Sequence, residues 1–567
     1  MAEVNWRDWG DEAFEDSKRT GRPVLLDISA VWCHWCHVMD ETTYSNPTVV
    51  DIINRDYIPV RVDNDRNPDI NARYNMGGWP TTAFLTHNRD VITGSTYIPP
   101  ERMAAMLKRV SQVYQEGGED LIQRAETARS ETEIEMTEEV GRSASMEDVE
   151  QVLAAVESSY DPRFGGFGHD QKFPFSQVLE LLLMEYERTG TRRRLTMVTD
   201  TLNAMLGGEL FDRVEGGMFR YATQRDWRVP HFEKMLDDNA RIAQVLLNAY
   251  RITADEKLLS VAKNIFSYLE NVLLDSNTGV FYGSQDADEE YYHRDSAGRK
   301  MLTPPHVDKA AYTDSNSALA IAYAQMWGMT ENHPARDHAL QIVSFLNALN
   351  KGPDGTICHY YENGAPHQFG NLADHVMLLL ANIMCCQASA DLLYLDVAKE
   401  LVNSIVSAYG APDGGFYDIS ARRASERGLH RYMIPMSENS TAARALTYLA
   451  DLTADEHFSD LACRTLNALA RQFTNYGIIA SEYASSLILF NTRRPVVTVN
   501  ADPGSELADK MIRATMVACG PLCSVKAGSP DGAEATVCTG TTCTLRTHDP
   551  AKLAEELTRL MSARISG

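Results

Sequence analysis

Hydrophobic positions change their spacing along the chain, and this change separates regions of different structure. Within the first 125 residues, short apolar runs at 25–29, 58–63 and 81–85 predict strands. Apolar side chains recur with helical spacing at Trp6, Trp9 and Phe14, and again from 103 to 110. Strands flanked by amphipathic helices predict an α/β domain at residues 1–125.

The helical period dominates from residue 147. Turns that combine glycine with an aromatic or apolar residue recur between successive helical segments, at 165–167, 216–219, 279–282, 355–357, 414–417 and 476–478. Six such turns predict a closed ring of six helical hairpins, because glycine permits the tight turns that join the helices at one rim. We therefore assign residues 147–493 to an all-α (α/α)6 toroid, the architecture of sugar epimerases and several glycoside hydrolases and lyases.

Two further segments complete the predicted multidomain organisation. Residues 126–146 are polar and glutamate-rich and predict a helical or extended connector. Residues 494–567 predict a small α/β segment of strands and two helices. We interpret its cysteines as buried structural thiols, with a metal knot or a second redox pair as the alternatives; they are Cys519, Cys523, Cys538 and Cys543.

Composition limits the classes of binding partner and the cellular location that we expect for this chain. The 567-residue chain has a formal net charge of −25, which disfavours nucleic acid and anionic membranes. Residues 1–8 lack the basic lead and apolar core of a secretory signal, and no stretch approaches the roughly 20 apolar residues of a membrane helix. Ten cysteines are too few for a disulfide scaffold. We expect a cytoplasmic protein with neither nucleic-acid nor membrane partners.

The clearest chemistry lies in Trp-Cys-His-Trp-Cys-His at 32–37, directly after the first predicted strand. A helix that begins at Cys33-x-x-Cys36 stabilises the Cys33 thiolate, which is the attacking species in thiol exchange. Asp27, earlier on the strand, is predicted to accept the proton of Cys36 when that thiol attacks in turn. His34 is expected to lower the pKa of Cys33 further. We assign no cofactor and no metal, since no second Cys-x-x-Cys completes a tetrahedral ligand set.

Two alternatives stay open for this motif. His37, next to Cys36, is a first-turn helix residue, a second group that tunes the thiolates, or a ligand in a zinc site with the cysteines. The domain as a whole is alternatively a partner-binding fold with an idle cysteine pair.

The order of these elements resembles thioredoxin. The shared features are the strand with Asp27, Trp-Cys-x-x-Cys, a Val-Asp strand end at 62–63 and Gly-Trp-Pro-Thr at 78–81. The resemblance implies that the peptide bond before Pro80 is cis and that Pro80 faces the disulfide and shapes the substrate groove. Because His34-Trp35 replaces the Gly-Pro of thioredoxin, the reduction potential is not carried over.

Polar stretches in the helical region follow the turns or open helices, so we expect them to converge at one rim. The residues assigned to this ligand site are His169, Asp170, His231, Glu233, Asp237, Asp286, Asp288 and Glu438. Pairs such as His231 with Glu233 supply the acid and base that epimerisation or hydrolysis of a sugar requires.

These polar residues also admit a structural interpretation. Asp237, Asp238 and Ser440 are alternatively helix caps. Asp286 and Asp288, predicted as a second acid/base pair, are alternatively part of a polar turn.

Longer motifs extend the resemblance over the whole chain. They are Trp-Cys-His-Trp-Cys-His-Val-Met at 32–39, Gly-Gly-Trp-Pro-x-Thr at 77–82, Gly-x-Thr-Tyr-x-Pro-Pro at 94–100, Val-Pro-His-Phe-Glu-Lys-Met-Leu-x-Asp-Asn-Ala at 229–240 and Gln-Asp-Ala-Asp-x-Glu at 285–290. In these the chain resembles the family of spermatogenesis-associated protein 20 and its bacterial relatives. The resemblance implies a thioredoxin-like domain joined to a six-hairpin domain of the epimerase type.

Two functions are predicted. The first is a thiol–disulfide oxidoreductase or redox-regulated protein whose partner is a protein thiol or disulfide, either client or reductant. The second is a carbohydrate-active enzyme, a sugar epimerase, isomerase or hydrolase, with the N-terminal domain as a regulatory or binding module. A ring that only binds protein is the third interpretation.

Overall fold

The computed structural model describes residues 3–135 and 142–566, including the side chains of all of these except 128–135 and 564–566. The chain forms two compact units. The first comprises residues 1–141, 286–288 and 419–432, and the second comprises 142–285, 289–418 and 433–567. Residues 136–141 of the predicted connector lie outside the described residues.

The first unit is an α/β domain built on a four-stranded sheet. Its elements are α1 (Asp11–Thr20), β1 (Val24–Ser29), α2 (His34–Thr42), α3 (Pro47–Asp56), β2 (Ile58–Asp63), α4 (Pro68–Tyr74), β3 (Thr81–Leu85), β4 (Val91–Ser95), α5 (Pro100–Glu135) and, from later in the chain, α17 (Ala421–Arg427). The strand order is β2-β1-β3-β4, with β1 parallel to β2 and antiparallel to β3. The predicted thioredoxin-like fold class is confirmed for this domain.

The central strand β1 separates two apolar clusters. Val24, Leu26 and Ile28 contribute to one cluster, whereas Leu25 contributes to the other. Since side chains alternate along a strand, Asp27 points to the same face as Leu25. That face carries α2, so the alternation of β1 places a carboxylate beneath the helix that bears the cysteines.

Helices dominate the second unit, with short strands at the connections. The elements are α6 (Met146–Ser159), α7 (Ser176–Thr189), α8 (Arg192–Gly207), β5 (Tyr221–Ala222), β6 (Pro230–His231), β7 (Lys234–Met235), α9 (Leu236–Thr253), α10 (Glu256–Val272), β8 (Ser284–Gln285), α11 (Glu289–Tyr292), α12 (Ser296–Arg299), β9 (Val307–Asp308), β10 (Ala311–Tyr312), α13 (Thr313–Thr330), α14 (His333–Ala348), β11 (Cys358–Glu362), β12 (Ala365–Phe369), α15 (Leu372–Ser389), α16 (Leu392–Tyr409), α18 (Met436–Thr453), α19 (Glu456–Ala470), a 3-10 helix (Phe473–Ala480) and α20 (Ser481–Asn491).

Six of these helices form a closed inner layer. Helices α7, α9, α13, α15, α18 and α20 pack against one another in that order, and α20 packs against α7. Helices α8, α10, α14, α16, α19 and α6 cover them from outside. The predicted (α/α)6 toroid is confirmed. Helix α15 is long and apolar enough to cross a membrane by length and composition, but 83% of it is buried as part of the inner layer.

The glycine-containing turns each precede an inner helix, and in three hairpins an asparagine near the start of that helix holds the turn. Asn239 of α9 accepts the N–H of Met218 at 2.7 Å and donates to the Met218 carbonyl at 3.1 Å. The same pair of bonds recurs in two other hairpins, between Asn316 and Phe281 and between Asn439 and Phe416. Gly217 adopts φ 79°, and a Cβ there would lie 2.6 Å from the Tyr268 ring. Glycine is therefore required at this turn.

The end of the second unit carries the predicted small α/β segment. It contains β13 (Pro495–Asn500), α21 (Glu506–Cys519), a 3-10 turn (Gly520–Leu522), β14 (Ser524–Ala527), β15 (Glu534–Thr539), β16 (Thr542–Thr547) and α22 (Pro550–Ser566), with strand order β14-β13-β15-β16.

The interpretation of four buried free thiols in this segment is wrong. Cys519 and Cys523 form a disulfide, because the short turn after α21 brings their Cα atoms to 5.7 Å. Cys538 and Cys543 form another, since they lie opposite each other on β15 and β16. The strand pair was predictable, whereas the register that aligns the two cysteines was not.

Candidate functional site

Cys33 and Cys36 are joined by a disulfide at the start of α2. Cys33 is the N-cap residue of this helix, and its Sγ accepts the N–H of Cys36 at 3.2 Å. Both side chains are buried. The unpaired N–H groups and the positive dipole end of a helix N-terminus favour negative charge at such a position. Once reduced, the Cys33 sulfur is therefore placed to be a stabilised thiolate.

Asp27 lies beneath this helix with a side chain that is only 1% exposed. Its carboxylate accepts hydrogen bonds from Arg61 Nε at 2.7 Å and from the Tyr44 hydroxyl at 3.2 Å. Burial raises the pKa of Asp27 to about 6, although the Arg61 guanidinium acts in the opposite direction. A carboxyl group with this pKa exchanges protons readily near neutral pH.

Sequence reasoning found Asp27 but missed Arg61 and Tyr44. Arg61 lies on β2 directly opposite Asp27 of β1, between the apolar residues Val60 and Val62. A charged residue in such a strand is a usable signal, but only after the two strands have been aligned.

The other predicted residues of the redox motif also belong to the first unit. The Trp79–Pro80 bond is cis, as predicted, and Pro80 is buried. His34 is half-buried and its ring lies 5.6 Å from that of Trp35. Trp35 is 44% exposed, which leaves an aromatic surface next to the cysteines. His37 lies in the first turns of α2, and its Nε2 is 2.9 Å from the Val31 carbonyl oxygen.

A separate pocket of about 330 Å³ opens in the second unit where several inner helices begin. We call it the cup. The first turns of α7, α9, α18 and α20 supply its wall, and its polar lining includes Arg220, Asp237, Asp238, Arg241, Ser437 and Glu482. Helix N-termini thus bring carboxylates and guanidinium groups together on one surface.

Three carboxyl groups at or beside the cup, those of Asp237, Asp238 and Glu438, have perturbed pKa values. Burial, reinforced by the neighbouring Asp237, raises the pKa of Asp238 to about 7. Burial also raises the pKa of Asp237. Glu438, in the first turn of α18 beside the cup residue Ser437, has its pKa raised to about 7 by burial and by Glu482. Carboxyl groups of this kind are proton donors and acceptors near neutral pH.

The structure brings only some of the predicted ligand-site residues to the cup. Asp237 lines it, and Glu438 lies beside it. His169 and Asp170 are exposed and are not among the residues that line it. They therefore do not join the other helix starts at the cup, since both side chains face solvent.

The predicted pairs differ in outcome as well. His231 Nδ1 lies 3.5 Å from Glu233 Oε1, so this pair is brought together, and His231 stacks on the Tyr221 ring. Asp286 and Asp288 instead group with the first compact unit, where Asp286 Oδ2 lies 3.8 Å from His37 Nδ1.

The capping alternative fails for all three residues. Asp237 and Asp238 lie in the first turn of α9, but its N-cap residue is Met235. Ser440 lies inside α18 and donates its hydroxyl to the Met436 carbonyl at 2.6 Å. The residues are helical because an N-cap position requires the non-helical backbone that precedes the first turn.

Two polar stretches that suggested ligand binding contain lysines with a structural role. Lys172 Nζ lies 3.0 Å from Asp161 Oδ2, and both side chains are fully buried. Lys234 Nζ lies 2.7 Å from Asp212 Oδ2. Each aspartate belongs to a glycine-containing turn, so these ion pairs tie the turn to the chain that leads to the next inner helix.

Comparisons with known proteins agree with this architecture. Residues 1–133 match the family model Thioredox_DsbH, described as a protein of unknown function, DUF255. Spermatogenesis-associated protein 20 of Mus musculus is 32% identical over 310 residues, which cover 50% of this chain and 39% of that protein. The uncharacterized protein B0495.5 of Caenorhabditis elegans is 29% identical over 320 residues, covering 52% and 42%. The matched region thus spans about two fifths of the length of these relatives.

Solved structures with a similar fold include cellobiose 2-epimerase from Spirochaeta thermophila, at 14% identity and a TM-score of 0.48 over 61% of this chain and 95% of that one. A D-mannose isomerase matches at 13% identity and a TM-score of 0.47 over 58% and 86%. Such similarities carry no information about activity. The resemblance inferred from the motifs is confirmed: the chain is similar to spermatogenesis-associated protein 20, and its residues 1–133 match the thioredoxin-like DsbH model of DUF255.

Proposed function

We propose that the first unit exchanges thiols and disulfides with protein clients. The observation that carries this proposal is the placement of the Cys33 sulfur at the N-cap of α2, bonded to Cys36 and hydrogen-bonded by the Cys36 N–H. A helix start of this kind favours the thiolate form of Cys33 over that of a cysteine inside a helix.

In the reductive direction, the Cys33 thiolate attacks a client disulfide, forms a mixed disulfide and releases one client thiolate. Cys36 then attacks the Cys33 sulfur, so that the Cys33–Cys36 disulfide forms and the second client thiolate leaves. Two electrons pass from the dithiol to the client, and a protein dithiol restores the reduced pair. Asp27, held by Arg61 and Tyr44, takes the Cys36 proton. Pro80 shapes the groove and His34 adjusts the potential.

The test is to trap the mixed disulfide. We expect reduced Cys36→Ser protein, mixed with insulin, to form a covalent complex through Cys33 that dithiothreitol releases, because serine cannot resolve the intermediate. Mass spectrometry of the unreduced mixture detects the complex. Cys33→Ser protein is the matched control and should form none. Equal complex formation by the two variants would assign the reaction to another cysteine and contradict the proposal.

The cup supports a second proposal, that the helical unit is a carbohydrate-active enzyme of the epimerase, isomerase or hydrolase type. The specific observation is the juxtaposition of Asp238, whose pKa is about 7, with the guanidinium groups of Arg220 and Arg241 on one pocket wall. Such a carboxyl group donates or accepts a proton, while arginines hold sugar hydroxyl or carboxylate oxygens.

A thermal-shift screen of mono- and disaccharides tests the cup. A sugar at about 100 times its Kd stabilises the folded protein by about 2.7 kcal/mol, so we expect a positive shift of the melting temperature for a bound sugar. Asp238→Asn should reduce this shift, whereas Asp170→Asn, at an exposed aspartate outside the cup, should leave it unchanged. No shift with any sugar would favour a ring that binds only protein, and an equal shift in both variants would place the sugar outside the cup.

A further inference from the structure

A second cluster of ionisable side chains lies in the helical unit, on elements that the sequence analysis did not connect. Asp314 is in the first turn of α13, His359 is on β11 and Asp374 is in the first turn of α15. One ligand atom from each of the three lies within 4.8 Å of the others. His359 Nδ1 is 2.9 and 3.0 Å from the two carboxylate oxygens of Asp374.

Two of the three side chains in the cluster are buried, and the third is partly exposed. The side chains of His359 and Asp374 are 5% and 0% exposed, whereas Asp314 is half-buried. Asp314 is oriented by Ser315, whose backbone N–H and hydroxyl donate to Asp314 Oδ1 at 2.7 and 3.2 Å. Two carboxylates that converge on one small space gain free energy from a positive charge between them.

Asn371 gives an independent indication of a bound cation. It is only 3% exposed, and its Nδ2 donates to Asp374 Oδ2 at 3.3 Å, so its amide group lies against the cluster. Its Oδ1 is buried and has no hydrogen-bond partner among the residues that the structure describes. A buried amide oxygen without a partner costs roughly 1–3 kcal/mol. A cation beside the Asp374 carboxylate would give this oxygen a positive partner.

We propose that Asp314, His359 and Asp374 bind one divalent metal ion, with the Asn371 amide beside it. Imidazole and carboxylate together suit Mn²⁺ or Zn²⁺ better than Ca²⁺, whose ligands are all oxygens. Binding replaces the His359–Asp374 hydrogen bond by two metal–ligand bonds. Three protein ligands leave a coordination position for water or for a small molecule. This site stands independently of whether the cup binds a sugar.

We use Mn²⁺ as the probe, because it binds weakly to the thiols of this chain. Electron paramagnetic resonance also distinguishes protein-bound Mn²⁺ from free Mn²⁺. After treatment with a chelator, the tag-free 567-residue chain with its disulfides intact is titrated with Mn²⁺. We expect one tightly bound ion per chain. Asp314→Asn and Asp374→Asn should each weaken binding by more than 10-fold, and Asn371→Ala by about 10- to 100-fold.

The matched control is Asp391→Asn, which changes the N-cap residue of α16 in the same hairpin. Asparagine caps a helix as well as aspartate does, so Mn²⁺ binding should stay unchanged. Circular dichroism checks that the variants fold. If Asp374→Asn does not fold, Asp314→Asn decides the outcome, because Asp314 is only half-buried and its replacement disturbs the fold less. No bound Mn²⁺ in the wild type, or equal binding by Asp314→Asn, would show that the cluster is only a hydrogen-bonded dyad.

Discussion

Replacement of Cys33 by serine is expected to lower the rate of insulin reduction by about 10³-fold or more. The step lost is nucleophilic attack, because a serine hydroxyl is not ionised near neutral pH, whereas a helix N-terminus favours the thiolate form of a cysteine. The measurement is the turbidity of reduced insulin with dithiothreitol as the electron source, after the rate without protein is subtracted. Equal rates for the wild type and Cys33→Ser would remove the catalytic role of this cysteine.

The other free thiols are poorly suited to replace Cys33. Burial raises the pKa of Cys358 and of Cys386 to about 12, and it raises the pKa of Cys385 as well, so these three stay protonated. Cys463 is half-buried and is the matched control. Cys463→Ser replaces a sulfur by an oxygen, as Cys33→Ser does, and should reduce insulin at the wild-type rate.

The redox site could be predicted to the extent that it is local in sequence. Cys33, Cys36 and Asp27 lie within ten residues of one another, and the strand-to-helix pattern fixes their order. Arg61 could not be found in this way, because its contact with Asp27 depends on the register between β1 and β2. Its guanidinium opposes the effect of burial on the pKa of Asp27, so the electrostatics of the site depend on strand pairing.

In the helical ring, prediction from sequence is limited in the same way for residues that lie far apart in the chain. Its six turns were predictable, because each hairpin repeats the need for glycine beside an aromatic or apolar side chain. Which loop residues reach the cup depends on the tertiary path of each loop, and His169 and Asp170 do not reach it. The cluster of Asp314, His359 and Asp374 could not be predicted from the sequence, because its members come from different hairpins and share no motif.

The polar stretch at 228–239 also shows that a motif rich in charge does not have to be a binding motif. Lys234, at its centre, is fully buried and lies over the rings of Tyr268 and Phe219 at 4.3 and 5.0 Å. Asp212 neutralises it and also accepts hydrogen bonds from Arg299 at 2.6 and 3.1 Å. The stretch therefore combines a structural lysine with the carboxylates of the cup.

Asp212→Asn is expected to destabilise the helical unit by about 3–5 kcal/mol, because it leaves a buried ammonium without its carboxylate. Arg299 keeps its contact with Glu215 at 2.9 Å, so Lys234 bears most of the loss. Urea unfolding followed by circular dichroism at helical wavelengths measures the change. The matched control is Asp396→Asn, in an exposed pair with Lys399, which should change the free energy of unfolding by less than about 1 kcal/mol.

The destabilisation should also depend on pH in a defined direction. Burial already lowers the pKa of Lys234 from 10.5 to about 8, and Asp212 is the first group that opposes this decrease. Without the carboxylate, the folded variant releases the Lys234 proton at lower pH, while the unfolded chain keeps it. The unfolded state then binds more protons than the folded state, so the stability of the variant rises with pH. The deficit relative to the wild type should therefore shrink as the pH is raised toward 8. A constant deficit would mean that the loss arises from packing around Asp212 and not from the charge of Lys234.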